Sequence, residues 1–374
     1  MSSDRKSRAE MDLTPFVAAR QARLVSQLEE LGVDAFLTFS PANRRYLSGF
    51  TGSAGYVLVT RSGGTELFTD WRYVDQARAE SPGSKVTLLG GDRRLWGPLE
   101  ASLKTAGASK VAFEAAHVSH AFAREAEAEL KVEWVPTTKL VEGLRSIKDA
   151  YEVAKMRASL AIAEQAFEHI LPFVKPGVTE HELAVELRHR MELLGAQNQP
   201  NFPILASGWR AALPHGRASD KVIEKGEFLL FDYGAILDGY YSDMTRTVVV
   251  GKADERQREI YRLVNDSNAA GTKLMGAGNT GQAVDRACRV PLLEAGYEGQ
   301  IHGYSVGHGL GLEIHEDPFM SEGYTAPLQA GMVVTIEPGI YISGWGGVRI
   351  EDTVLVTESG PEVFNTFTHD LLEL

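Results

Sequence analysis

Two aspartates, Asp232 and Asp243, stand inside FLLFDYGAILDGYYSDMTRTVVV (228–250), a run that otherwise reads as buried strand. Asp238-Gly239 is a two-residue hairpin signal, because the favoured turn needs positive φ at its central positions. It pairs Leu237 with Tyr240 and, counting outward, Gly234 with Asp243. Strand side chains alternate, so Asp232 shares a face with Gly234 and becomes the diagonal neighbour of Asp243, with Cβ atoms about 7 to 8 Å apart. On that face Asp232 follows Phe228 and Leu230. Two ionised carboxylates in an apolar row push one pKa upward unless something positive sits between them.

A second pair follows from an internal repeat. GVTEHELAVELRHRMELLG (177–195) and GNTGQAVDRACRVPLLEAG (278–296) both run from a Gly-x-Thr start to a closing glycine, and Thr179 with Glu182 forms a capping-box pattern. FDYG then matches IEPG, setting Asp232 against Glu337, and GYYSDMT matches GVRIEDT, setting Asp243 against Glu351. The offsets agree: 337 − 232 = 105, 351 − 243 = 108, and 280 − 179 = 101 for the helix starts. Four carboxylates are thus directed toward one place. Arg246 and Arg349 could neutralise part of that charge in a plain ion-pair network; a pair of divalent cations is the proportionate alternative. GHGLGLEIHEDP (307–318) adds His308 and His315. One imidazole among carboxylate oxygens favours Mn²⁺ or Mg²⁺, with Co²⁺ and Zn²⁺ possible, over a thiolate zinc site.

The elements that must position these residues fall into two stretches. From Asp34 to Pro136, strand-like runs (DAFLTF, GYVLVT, TELFTD, KVTLLG, KVAFE, KVEWVP) alternate with helical patterns such as LWGPLEASLKTAG and SHAFAREAEAEL, an α/β texture. After VPTTKLVEGLRSIKD, Val153, Met156, Leu160, Ala163 and Phe167 recur at helical spacing and open a new unit, with the boundary near Gly143. A chain of 374 residues with 44% hydrophobic and 24% charged residues is globular, and its net charge of −12 argues against nucleic acid and anionic membranes as partners. Cys288, the single cysteine, reads as a small core residue and allows no intrachain disulfide. The charged N-terminus lacks an apolar signal segment and no run reaches membrane-spanning length, so a soluble, cytoplasmic protein is expected.

The ordered set Asp232, Asp243, His308, Glu337 and Glu351, in the contexts FDYG, SDMTRT, GHGLGLEIHE, TIEPGIY and VRIEDT, resembles the pita-bread metallopeptidases of the M24B type. Pita-bread metallopeptidases as a whole include methionine aminopeptidase, Xaa-Pro dipeptidase and Xaa-Pro aminopeptidase. The resemblance implies an α+β chain: a pita-bread catalytic domain with pseudo-two-fold repeat over 144–374, preceded by an α/β creatinase-type domain over 1–143. YLSGFTGSAGYVLVT with LFTDWRY (46–73) is similar to the aminopeptidase P branch, so the implied activity is removal of an N-terminal residue preceding proline from short peptides. Xaa-Pro dipeptidase is the alternative, and a metal-free creatinase-like or binding protein a further one. By the same resemblance Asp243 and Glu351 bridge two divalent ions, Mn²⁺ foremost, with Co²⁺ or Zn²⁺ as alternatives; Asp232 completes one site, and His308 with Glu337 the other. Glu337 also serves as general base, His215 (in AALPHGR) and His315 attend the scissile carbonyl, and Arg349 and Tyr341 orient Glu351 and Glu337. Trp71 and Arg72 are expected to pack within the first domain, the alternative being that they reach a cleft, including that of a partner subunit, and a homodimer is implied. Tyr304 stands where proline-directed relatives carry a histidine, with His302 two residues earlier, which bears on substrate contacts and not on the cation ligands.

Overall fold

The structure, a computed structural model, describes residues 11–91, 94–197, 203–301 and 305–374. Its contacts divide the chain into two compact units, the first ending at Arg145 and the second running Ser146–Leu374.

In the first unit all six strand-like runs form strands of one sheet. Its spatial order is Lys85–Leu88, Thr65–Thr69, Tyr56–Thr60, Ala35–Thr38, Lys110–Glu114, Glu133–Thr137. The two middle pairings that join 35–38, 56–60 and 65–69 are antiparallel, while the outer ones are parallel. Parallel pairs need crossovers, and the helices Val74–Glu80, Trp96–Ala106 and His120–Glu129 lie in sequence between the strands concerned. Leu37, Leu58, Phe68, Leu99 and Val111 form its core. Trp71 departs from the expected packing: it is 74% exposed, and Arg72 folds back onto Asp70, with Nη2 to Oδ2 at 2.7 Å.

In the second unit, the helix Ala150–Ile170 starts on a full capping box made by Asp149 and Glu152, and buries Met156, Leu160, Ala163 and Phe167. Phe167 packs on Phe231 and Tyr233 at ring separations of 5.2 and 5.5 Å, so this helix backs the strand that carries Asp232. Each repeat then supplies a capped helix and a hairpin. The first has the helix Glu180–Leu193, whose Thr179 cap forms the capping box with Glu182, and the strands Phe228–Tyr233 and Met244–Val249. The second has the helix Gly281–Glu294, capped by Thr280, and the strands Val333–Ile336 and Asp352–Thr357. The small hairpins Ile236–Leu237/Tyr240–Tyr241 and Gly339–Ile342/Gly346–Arg349 extend them. Asp238 and Gly239 both have positive φ (48° and 74°), as the turn requires. The two hairpins meet edge to edge at Thr245 and Glu351, where the Glu351 N–H donates to the Thr245 carbonyl at 3.1 Å.

Candidate metal centre

Asp232 lies near the end of its strand opposite Thr245, and the register continued through the turn sets Asp243 opposite Gly234. The two aspartates are therefore diagonal neighbours on one face. In the second hairpin Ile336 faces Asp352 and Gly339 faces Arg349, one common register that sets Glu337 opposite Glu351. The ladder is interrupted there, because the Glu337 N–H donates to the Val306 carbonyl at 2.8 Å and the Glu351 N–H to Thr245. Buried Asn268, on the helix Glu255–Thr272, bridges the interruption, its Nδ2 donating to the Ile336 and Ile350 carbonyls at 3.1 and 3.2 Å. His308 begins a short strand in the same sheet, its N–H donating to Thr335 Oγ1 at 3.1 Å. Its Nδ1 lies 3.0 Å from the Gly309 carbonyl; with the proton on Nδ1, Nε2 turns to the carboxylates, 3.7 Å from Asp243 Oδ2 and 3.5 Å from Glu337 Oε1.

The structure thus brings Asp232, Asp243, His308, Glu337 and Glu351 together. Asp243, His308 and Glu351 offer donor atoms all within 4.8 Å of one another. Burial, reinforced by the neighbouring carboxylates, pushes Asp243 and Glu351 well above the usual carboxylate range. Burial also raises Asp232, although Arg349 opposes it, and burial lowers His308. Asp243 Oδ1 and Glu351 Oε1 are buried with no hydrogen-bond partner among the described residues. Buried carboxylate oxygens are rarely left so. Donor atoms gathered this closely, in a site that resists full negative charge, suit a hard divalent cation, so these residues fit one.

Of the two candidate cations on the chain, only Arg349 serves the cluster. It pairs with Asp232, and its Nε lies 3.9 Å from Glu337 Oε2. Burial opposes its charge, but Tyr341 and the surrounding carboxylates hold it firmly protonated. Its Nη1 donates to the Tyr341 hydroxyl at 2.8 Å and to the Pro214 carbonyl at 3.2 Å. Its hydrogen-bonded carboxylate is Asp232, whereas the expectation was that Arg349 and Tyr341 orient Glu351 and Glu337. Glu351 is instead held by Thr245, whose Oγ1 donates to Oε2 at 2.7 Å. The sequence reading missed Thr245, although it lies two residues after Asp243 and hence on the same strand face. Arg246 is turned away to pair with Asp352 at 2.9 Å.

Asp232, His308, Glu337, Tyr341 and Arg349 line a cavity of about 320 Å³, together with exposed His215 and His315. The His315 ring packs edge-on against His308 at 4.4 Å. Leu292, Ile301, Val306 and Phe319 supply an apolar wall. Cys288 lies beneath it, fully buried, and burial pushes its thiol up to about 12, so it is no nucleophile. His302 and Tyr304 lie outside the described residues.

A duplicated hairpin pair that gathers buried carboxylates and one imidazole beside a small cleft, in a chain whose preceding residues form a separate α/β unit, defines a two-domain pita-bread metallopeptidase. Residues 154–358 match the model of Metallopeptidase family M24, and residues 20–147 match the Creatinase/Prolidase N-terminal domain. The chain belongs to family M24, and peptide hydrolysis at a metal centre is that family's chemistry. It is 35% identical to an Xaa-Pro dipeptidase from Pyrococcus furiosus, over 94% of this chain and 99% of that one. An Xaa-Pro dipeptidase structure from Bacillus anthracis superposes with TM-score 0.91 at 40% identity, covering 96% of this chain and 100% of that one. An X-Pro aminopeptidase structure from Thermotoga maritima superposes with TM-score 0.87 at 34% identity, covering 95% and 99%. Among the described residues, no helix is long and apolar enough to cross a membrane.

Proposed function

We propose that this chain is an Xaa-Pro dipeptidase that hydrolyses the bond between a first residue and a following proline. The observation that carries the hydrolytic reading is the pair of unsatisfied buried oxygens, Asp243 Oδ1 and Glu351 Oε1, inside the carboxylate cluster. Restriction to dipeptides is supported by the small cleft and by relatives of that name matching along both units.

Asp232, Asp243, His308, Glu337 and Glu351 would hold two divalent cations, Mn²⁺ suiting the oxygen-rich set, which when bound supply Lewis-acid polarisation and a water of lowered pKa. Glu337 is only half-buried and faces the cleft, so it takes the proton from the attacking water and returns it to the departing proline nitrogen. His215 and His315, exposed at the cleft, donate to the scissile carbonyl oxygen as it gains charge. Arg349, fixed by Tyr341 and the Pro214 carbonyl, favours the charged form of Asp232 against its burial and orients it. The wall formed by Leu292, Ile301, Val306 and Phe319 receives the proline ring and excludes water from it.

Protein stripped with chelator and reloaded with Mn²⁺, Co²⁺ or Zn²⁺ in turn, then offered Ala-Pro, Ala-Pro-Ala and Met-Ala-Ser, tests this. Ala-Pro is expected to be cleaved at least about tenfold faster than Ala-Pro-Ala, the discrimination available when a recognised polar group is missing. Preference for Ala-Pro-Ala would replace the reading by Xaa-Pro aminopeptidase, which the Thermotoga maritima neighbour and the GFTGSAG stretch support. Failure to bind any of the three metals would overturn both.

A further inference from the structure

The segment that carries His215 is organised around one carboxylate. Glu180, the first residue of its helix, is fully buried yet accepts five hydrogen bonds. Its Oε1 takes the Ser207 N–H at 2.7 Å and the Ser207 hydroxyl at 3.0 Å. Its Oε2 takes Arg210 Nε at 3.0 Å, the Ser219 N–H at 3.0 Å and the Ser219 hydroxyl at 2.7 Å. The donors come from the two ends of the segment 207–219 and from a point inside it, so a single side chain closes the loop. Arg210 tightens it further, its Nη2 donating to the Arg217 carbonyl at 2.6 Å. At the tip the Gly216 N–H donates to the Leu213 carbonyl at 2.9 Å, and Pro214 and His215 reach the cavity.

The tip is held from the other side as well, because the Pro214 carbonyl accepts from Arg349, the partner of Asp232. His215 is exposed, so its position is set by its backbone more than by packing around its ring. Charge-assisted bonds to a buried carboxylate are the stiffest such anchor available, and the adjacent helix N-terminus favours the negative charge.

We propose that Glu180 is a positioning residue for hydrolysis: it holds the segment 207–219 so that His215 faces the carboxylate cluster. This rests on the role given to His215 above, and it can be tested on whichever peptide of the panel is cleaved.

The test is a double-mutant cycle of E180Q, H215A and E180Q/H215A in the full chain loaded with Mn²⁺, with Mn²⁺ affinity of each metal-stripped variant measured by calorimetry. E180Q is expected to lower kcat/KM about 10- to 100-fold, the cost of a small misplacement of a group at the reacting centre. Mn²⁺ affinity is expected to stay within about threefold of wild type, and the double variant to match H215A within the same factor, because non-additivity marks residues acting through one another. Amide hydrogen exchange over 207–219 quickens in metal-stripped E180Q. Multiplying losses, a parallel drop in Mn²⁺ affinity, or unchanged activity of E180Q would each sink the Glu180 assignment alone. An H215A variant as active as wild type would remove the His215 role with it. If E180Q does not fold, S219A, which removes one neutral donor, enters the same cycle with an expected loss of about 3- to 10-fold.

Discussion

In the first hairpin of the catalytic unit Asp232 and Asp243 are diagonal neighbours; in the second, Glu337 and Glu351 face each other directly. The cause is where the second acid stands. Asp243 lies three residues beyond Tyr240, the partner of Leu237, whereas Glu351 lies five residues beyond Gly346, the partner of Ile342. The turns also differ in length. Two residues, Asp238 and Gly239, separate Leu237 from Tyr240, whereas Ser343, Gly344 and Trp345 separate Ile342 from Gly346. Diagonal Cβ atoms stand about 7 to 8 Å apart and opposed ones about 4.5 to 5.5 Å. The wider pair has room for a guanidinium on Asp232, and the closer pair uses glutamates, whose extra methylene lets the carboxylates spread. The halves also brace one another unequally. Thr245 and Thr353 share the offset of 108 (353 − 245) that relates Asp243 to Glu351. Thr245 donates to the Glu351 carboxylate, while Thr353 donates only to the Asp243 backbone carbonyl, at 2.9 Å. A duplicated frame thus yields inequivalent carboxylate environments from the position of the second acid along its strand and from the chosen acid.

The sharpest break of this comparison comes from neutralising the acids in turn. D243N and E351Q should each cut kcat by at least about 10³-fold, the scale of losing a preorganised electrostatic group. In metal-stripped protein each removes a buried carboxylate with an unsatisfied oxygen, so Tm should rise by a few degrees, about 1 kcal/mol. D232N should lose activity as well but lower Tm by about 3 kcal/mol equivalent, because buried Arg349 loses its partner. Calorimetric melting that moves all three the same way would erase the distinction between the hairpins. Next in size, T245V should weaken Mn²⁺ binding about 10- to 100-fold by freeing Glu351. T353V should weaken it by less than about fivefold, the worth of one ordinary hydrogen bond. Equal titration curves for the two would show that the threonines are interchangeable. The smallest contrast lies in the helix caps. T179A breaks a full capping box and should lower unfolding free energy by about 1 to 2 kcal/mol in denaturant titration, against about 0.5 to 1 for T280A, which loses a single cap bond.

Much of the site was legible because its signals are local or periodic. The turn chemistry of Asp238-Gly239 gave the first register, and the repeat gave the second pair of acids. The six strands and the helices 96–106 and 120–129 of the first unit likewise follow their hydrophobic runs. What escaped depends on partner choice across the repeat. Arg246 and Arg349 carry the same charge in similar motifs, yet Arg246 is three residues from Asp243 and so lies on the opposite face of its strand. It meets Asp352 there, where Arg246 and His369 hold that carboxyl low despite its burial. Arg349 is two residues from Glu351 and shares its strand face. Alternation, applied to both arginines, sets Arg246 on the other face, a step the sequence reading did not take. It could not choose Asp232 over Glu351 as Arg349's partner, since that depends on how the hairpins dock. Nor did any local pattern set Glu337 directly opposite Glu351, because the three-residue turn lacks a two-residue signature. Asn268 and Glu180 were missed for a related reason: each sits on a helix and acts on backbone far along the chain.

Asn268 carries a consequence for engineering. Its one amide group grips the strands just before Glu337 and just before Glu351, so a slight tilt of the helix Glu255–Thr272 would drag both glutamates together. Repacking that helix at Val264 or Ile260, neither of which lines the cleft, should register as a changed preference among metals of different radius before it registers as lost folding.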